Sequence, residues 1–491
     1  MKLVSNFPFF TKDAVIEILC PGGVLNSIEL HNICDLAIKY NTTYLYFGER
    51  QSIYFVCLEK NKSEILNELN AVGLLAIEKA ESSKNITSSL VSADIFGKNG
   101  WVSEGIIQDI LLNFDAQLSV SVNIADVNQS LTALFNSDLN FVSSNVLNYW
   151  YLYIRNAETG KLHLWPELVY GTDIALVSYN IEEDFRSNFA FEISELFARI
   201  KAKIYYICLP ITEDLKVPRY RFSYYEGMNR YENRYWLGIY RRKERLRATV
   251  LKEIATLIQE TKSGVMYLSP WKSLVIKNIQ EQDRIKWEML LGDYGYNLRH
   301  SCSDLIWKTP DLDKRAYKIK KRIVRALDNK DVRTFGVTFG LKTSKTPVSN
   351  TSIIIVENTL LSIGKLKIIK TYSLYHTPDF NPNNPNQQLY RMNIDGIHLA
   401  DIIKDLCKKY YAQLNQARQE INITSVTKKV EEKTVVHQCG MCDTVYDSEY
   451  GDHTTNILPG IMFDSLPLDY KCPVCSAGKE QYVATEMLLQ I

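Results

Sequence analysis

The chain has 491 residues, 46% of them hydrophobic and 23% charged, with a formal net charge of +1 at pH 7. This is the composition of an ordinary globular protein of about three domains, and it excludes a disordered, collagen-like or disulfide-framed chain. Balanced charge names no polyanionic partner, no apolar run approaches the roughly 18 residues that span a bilayer, and Cys20, Cys34, Cys57, Cys208, Cys302 and Cys407 are scattered as in a reducing cytoplasm.

At the N-terminus, Lys12, Asp13 and Glu17 interrupt the apolar run of MKLVSNFPFFTKDAVIEILCPGG, so no export signal is expected. Residues 1–80 form a first repeat unit. From Leu25, the segment LNSIELHNICDLAIKYNTTYLYFGERQSIYF aligns without gaps to LRATVLKEIATLIQETKSGVMYLSPWKSLVI from Leu246, an offset of 221 positions (274 − 53). Leu30, Ile33 and Leu36, and in the second copy Leu251, Ile254 and Leu257, share one helical face, and alternating strands follow. The pattern predicts helix, strand, tight turn, strand. Each copy leaves an apolar face open, so the two are expected to pair about a pseudo-twofold axis.

Residues 81–215 and 298–422 have helix-then-strand character and read as two larger α/β domains. Between them, 216–297 holds the second copy and a basic, aromatic stretch, RYRFSYYEGMNRYENRYWLGIYRRKERLR. Its guanidinium groups suit bidentate binding of carboxylates. Alternating Arg and Tyr equally describe a half-exposed edge strand with solvated charge. Arg with aromatics also occurs in nucleic-acid binding, but Glu226, Glu232 and Glu244 break the field and no nucleic acid is expected.

RYWLGIY (Arg234 to Tyr240), YLSPWKSLVIKNI (Tyr267 to Ile279) and the turn Gly48-Glu49-Arg50-Gln51 resemble the ferredoxin-like half-repeats of sirohaem-dependent nitrite and sulfite reductases. The resemblance implies an α+β, pseudo-twofold scaffold in which half-repeats alternate with larger domains. It also implies that Arg50, Gln51 and Lys272 line a tetrapyrrole pocket. The chain departs from that family in its cysteines. The family's 4Fe-4S cluster needs one pair spaced by five residues and another by three, whereas RHSCSDLIW offers Cys302 alone before Cys407. One thiolate does not hold a four-iron cluster, so none is expected. No catalytic residue is assigned, and there is no G-x-G-x-x-G after a strand, no P-loop and no H-E-x-x-H.

KRAYKIKKRIVRAL (Lys314 to Leu327) has helical period, with Tyr317, Ile319, Ile323, Val324 and Leu327 for burial and its cations for solvent or an acidic redox partner. TPDFNPNNPNQQ from Thr377 reads as a long surface loop. A helix from Gly396 gives way to a charged linker over 423–435.

In the last segment, 436–485, Cys439, Cys442, Cys472 and Cys475 form two C-x-x-C pairs. Four thiolates in such loops hold one metal ion tetrahedrally, iron or zinc on spacing alone. The intervening Tyr446-Asp447, Gly451-Asp452, Pro459-Gly460, Phe463, Leu466-Pro467, Asp469 and Cys472-Pro473 resemble the rubredoxin family along its whole length. That resemblance implies a single iron ion, Fe2+/Fe3+, with Tyr446, Phe463, Tyr470 and Tyr482 shielding it. Asp443 and Ser476 stand where the family has glycine. The expected function is one-electron transfer with a redox partner protein. The alternative is a sirohaem-type reductase that uses the rubredoxin as its internal donor.

Overall fold

The computed structural model describes residues 13–488, apart from 80–82, 97–99, 157–158, 188–191, 221, 344–349, 364–365, 429–432, 449–450, 453, 456 and 459. Two compact units are formed, Met1–Tyr410 and Tyr411–Ile491. The first begins with β1 (Asp13–Leu19), β2 (Val24–Asn26), α1 (Ser27–Lys39), β3 (Tyr44–Phe47), β4 (Ile53–Leu58), α2 (Lys62–Ala71) and β5 (Leu75–Glu78). Asn26 starts α1 by a capping box, its Oδ1 accepting from Glu29 N at 2.9 Å while the Glu29 carboxylate accepts from Asn26 N at 2.8 Å.

A first large sheet follows, from β6 (Ile86–Ser88), α3 (Glu104–Leu112), β7 (Val122–Ala125), β8 (Leu139–Ser143), β9 (Tyr149–Arg155), β10 (Leu162–Leu164), β11 (Glu167–Tyr170), α4 (Ile174–Ser187), α5 (Ile193–Lys203) and β12 (Cys208–Pro210). Next come β13 (Gly227–Tyr231), β14 (Arg234–Ile239), β15 (Arg245–Arg247), α6 (Ala248–Glu260), β16 (Val265–Leu268), β17 (Leu274–Ile279) and α7 (Arg284–Asp293). The sequence offset of 221 carries β2 onto β15, α1 onto α6, β3 onto β16 and β4 onto β17 with identical bounds (Ser27 to Ala248, Ile53 to Leu274).

The copies exchange their short strands. β15 pairs with β3 (Leu246↔Leu45) and β2 with β16 (Leu25↔Met266), giving two five-stranded sheets, β15-β3-β4-β1-β5 and β13-β14-β17-β16-β2. Leu30, Ile33 and Ala37 of α1 join Leu251, Ile254 and Ile258 of α6 in one core, so each copy covers the other's apolar face.

The second large sheet arises from α8 (Cys302–Leu305), β18 (Trp307–Lys308), α9 (Lys314–Asn329), β19 (Phe339–Lys342), β20 (Ile353–Ile363), β21 (Leu366–His376) and β22 (Gln388–Ile394). Its order β18-β19-β20-β21-β22 has two parallel pairings followed by antiparallel ones, as does β6-β7-β8-β9. The two large sheets therefore share this succession of parallel and antiparallel pairings. α10 (Leu399–Lys428) continues into the segment expected as linker over 423–435. Once Leu399, Ile403 and Leu406 are buried, extending an existing hydrogen-bond ladder is far easier than nucleating one. The second unit adds the antiparallel sheet β24-β23-β25, from β23 (Lys433–Cys439), β24 (Val445–Tyr446) and β25 (Tyr482–Leu488).

Candidate metal centre and cofactor residues

Two matching loops carry the four cysteines. In the first, Asp443 N donates to Cys439 O (2.9 Å) and Cys439 N to Thr444 O (2.8 Å); in the second, Ser476 N donates to Cys472 O and Cys472 N to Ala477 O, both at 2.8 Å. Asp443 (φ 58°) and Ser476 (φ 60°) occupy the left-handed region, which is why glycine suits these places. All four Sγ atoms lie within 4.8 Å of one another. Cys439 and Cys475 are 3.6 Å apart, and Cys442 and Cys472 3.5 Å. Metal–sulfur bonds of about 2.3 Å place the corners of a tetrahedron about 3.8 Å apart, so the donor set fits one ion.

Cys439 and Cys472 are buried, Cys442 is half-buried and Cys475 is exposed. Tyr446, Phe463, Tyr470 and Tyr482 close over the inner side as one cluster, with Phe463 5.6 Å from Tyr446 and 5.1 Å from Tyr482. The sequence did not point to His437, whose ring stacks on Phe463 at 4.0 Å, nor to Thr444, whose Oγ1 lies 3.0 Å from Cys442 Sγ. That hydroxyl, with the Thr444 N–H, draws the Cys442 thiol below its usual range.

Arg50, Gln51 and Lys272 are placed by the repeat. Gly48–Ser52 and Ser269–Ser273 form the same turn, closed by Gln51 N to Gly48 O and Lys272 N to Ser269 O, both 3.1 Å, with φ of 57° at both Gln51 and Lys272. The two side chains are therefore counterparts, and both are buried. Gln51 Nε2 donates to Ser88 O and Leu268 O, and its Oε1 accepts from Ser88 N. Arg50 donates to Asn136 O, Asn85 O, Val122 O and Ser137 Oγ, leaving Nε buried without a partner. The three ammonium donors of Lys272 meet Glu244 (2.9 Å), Asp311 (2.9 Å) and Thr309 O (2.8 Å). Protein groups thus take up the Gln51 amide, the Lys272 ammonium and the terminal guanidinium nitrogens of Arg50, and Arg50 Nε is left without a partner.

The carboxylates are the part that sequence reasoning missed. Burial pushes Glu244 up, but Lys272 and Lys320 outweigh it and hold the carboxyl at about 2. Asp311 accepts from Lys272, Glu49 N and the Tyr54 hydroxyl (2.8 Å), joining the two copies. Lys320, read with the solvated face of its helix, is instead buried and donates to Tyr240 Oη (3.0 Å) and Glu244 (3.3 Å). No local signal marks it, because its partners lie some eighty residues away in the chain. In the basic stretch, β13 is an edge strand, Arg230 and Arg234 are exposed, and Arg242 pairs with Asp304 at 2.8 Å.

Four thiolates in two matching C-x-x-C loops, closed by aromatic rings on a three-stranded sheet, define a rubredoxin-type mononuclear iron site. The rubredoxin family profile matches residues 436–482, and through them the chain belongs to the rubredoxin family. Rubredoxin-2 of Chlorobaculum tepidum is 44% identical over 45 residues, 9% of this chain and 86% of that protein. The probable rubredoxin HupI of Bradyrhizobium diazoefficiens is 45% identical over 49 residues, 10% of this chain and 71% of that one. A rubredoxin of Synechocystis sp. is 43% identical over 49 residues, and the match spans only 43% of its length. The structure of the Mycobacterium tuberculosis NirA protein superposes with a TM-score of 0.60 at 15% identity, covering 80% of each chain. The scaffold accordingly has the nitrite/sulfite-reductase-like fold. Among the described residues, no helix is long and apolar enough to cross a membrane.

Proposed function

We propose that the chain is an electron carrier that exchanges one electron at a time with redox partner proteins through its rubredoxin unit. The observation that carries this reading is the convergence of four sulfurs within 4.8 Å, two buried and one, Cys475, exposed. Iron bound there supplies a ferric/ferrous couple. Tyr446, Phe463 and Tyr470 keep water from the inner sulfurs, and backbone N–H groups of Thr444, Val474, Cys475 and Ala477 face the thiolates and offset their charge. Because the loops fix all four sulfurs by their own backbone bonds, the site changes little on electron transfer. Met441 and Val474, 70% and 72% exposed, lie in the loops beside the exposed ligand and offer a partner an apolar approach.

The reductase-like fold favours a second reading, a redox enzyme whose scaffold binds a tetrapyrrole and draws electrons from the rubredoxin unit. The engagement of Arg50, Gln51 and Lys272 with protein groups weighs against it. The test is a visible spectrum of the full chain expressed with iron and a sirohaem supply, before and after dithionite, with metal analysis. Ferric-thiolate bands that bleach, with one iron per chain, are expected. A Soret band supports the enzyme instead, and a colourless protein holding one zinc defeats both.

A further inference from the structure

We propose that the Thr444 hydroxyl donates a hydrogen bond to the Cys442 sulfur and raises the reduction potential of the site, an inference that rests on the electron-transfer reading above. The two atoms are 3.0 Å apart. A metal-bound Cys442 is a thiolate and only accepts, so the hydroxyl is the donor. The loops correspond residue for residue, Cys439 to Cys472, Cys442 to Cys475, Asp443 to Ser476 and Thr444 to Ala477. In each, the last cysteine faces the backbone N–H two residues on, from Thr444 or Ala477. Only Thr444 adds a second donor, because Ala477 has no hydroxyl. The Thr444 main chain is also fixed from both sides, its N–H facing Cys442 and its carbonyl accepting from Cys439 N at 2.8 Å. With the main chain anchored, rotation about χ1 alone places the hydroxyl, and the β-branched side chain has few rotamers to choose from.

The sign follows from where the added charge goes. Reduction brings one electron from a reduced partner protein to the iron, no iron–sulfur bond breaks and no proton moves. The thiolates carry more negative charge afterwards, so a donor on sulfur stabilises the ferrous form more than the ferric one. Thr444 acts on the iron through Cys442 and is a positioning residue.

The test is a spectroelectrochemical titration of the iron-loaded full chain, comparing the wild type with Thr444→Val and Thr444→Ser, with iron content measured on each sample. Thr444→Val is expected to move the midpoint to lower potential with one iron retained, while Thr444→Ser stays at the wild-type value. A Thr444→Val midpoint equal to wild type, or a Thr444→Ser midpoint displaced as far as that of Thr444→Val, overturns the proposal and leaves the carrier reading standing. Should Thr444→Val lose its iron, Ala477→Ser decides. Its added hydroxyl at the matched place raises the midpoint if the proposal holds, and an unchanged midpoint overturns it. A wild-type chain that binds only zinc overturns both the carrier reading and this one.

Discussion

Asp443 and Ser476 hold left-handed backbone where an L side chain costs about 1–2 kcal/mol, less for Asp, which tolerates this region. Ser476→Gly is therefore expected to stabilise the rubredoxin unit by up to about 1 kcal/mol, after the entropy that glycine loses on folding, and Asp443→Gly by less. Loss of the ferric band in guanidinium measures both, and a lower midpoint for Ser476→Gly would sink the argument. In the scaffold, the buried ion pairs set a pH dependence. Glu244 falls from 4.5 to about 2, so its contribution is complete above pH 4.5 and is lost as pH falls toward 2. Lys272 is lifted above 10.5, burial opposing and Glu244 and Asp311 prevailing, so its contribution is complete below 10.5 and is lost only as pH rises beyond that. Glu244→Gln should cost about 3–5 kcal/mol at neutral pH, since it leaves buried lysines without their carboxylate. It should also flatten the acid limb of the stability curve between pH 4.5 and 2. An acid limb as steep as that of the wild type would show that Glu244 does not carry it. At this scale the four cysteines were legible because fixed spacing is itself the signal. Asp311 and Lys320 were not, because each acquires its role from partners that only the fold brings near, whereas Thr444 is two residues from Cys442 and shows its role only in the 3.0 Å approach of its hydroxyl.

Elements were legible where periodicity and repetition coincide. The repeat showed helix, strand, turn and strand in each copy, and its offset carries α1 onto α6 and one strand pair onto the other to the residue, since apolar spacing and turn chemistry recur in both copies. The exchange of β2 and β15 was hidden, because strands of three residues carry too little pattern to show which sheet they join. One position distinguishes the copies sharply. Gly238 on β14 sits where β1 has Glu17, and a Cβ there would meet Tyr225 O at 2.0 Å and Tyr225 C at 2.7 Å. The chain before β13 thus crosses directly over this strand, with Tyr225 wholly buried beside Trp271. Gly238→Ala is expected to destabilise the scaffold by about 1–3 kcal/mol through overpacking. Glycine-to-alanine at Gly264, where nothing lies within 4 Å but φ is +91°, probes strain without contact and serves as the comparison. Equal melting temperatures for Gly238→Ala and wild type would remove the close approach from the account.

On the scale of the whole molecule, the two units differ in what holds them folded. The scaffold has large apolar cores, one uniting both half-repeats and another gathered around Trp271, Phe339 and Leu374. Among its described residues the rubredoxin unit has one small cluster of eight buried residues, two of which, Cys439 and Cys472, are themselves ligands. A core of that size rarely stabilises a domain alone, so metal binding is expected to supply much of its folding free energy. The chain provides two separate reporters of this difference. All seven tryptophans, from Trp101 to Trp307, precede Tyr411, so their fluorescence follows the scaffold, while the ferric-thiolate band follows the rubredoxin unit. Stripping the iron with acid and a chelator, then returning to neutral pH, should leave the tryptophan-detected melting transition in place. It should also abolish the amide-exchange protection of residues 436–482. Adding ferrous iron under reducing conditions should restore that protection, and on oxidation the visible band. Protection that survives removal of iron would mean that the aromatic cluster of Tyr446, Phe463, Tyr470 and Tyr482 folds the unit without its metal. The four cysteines would then be a site built on a finished fold rather than the staple that completes it.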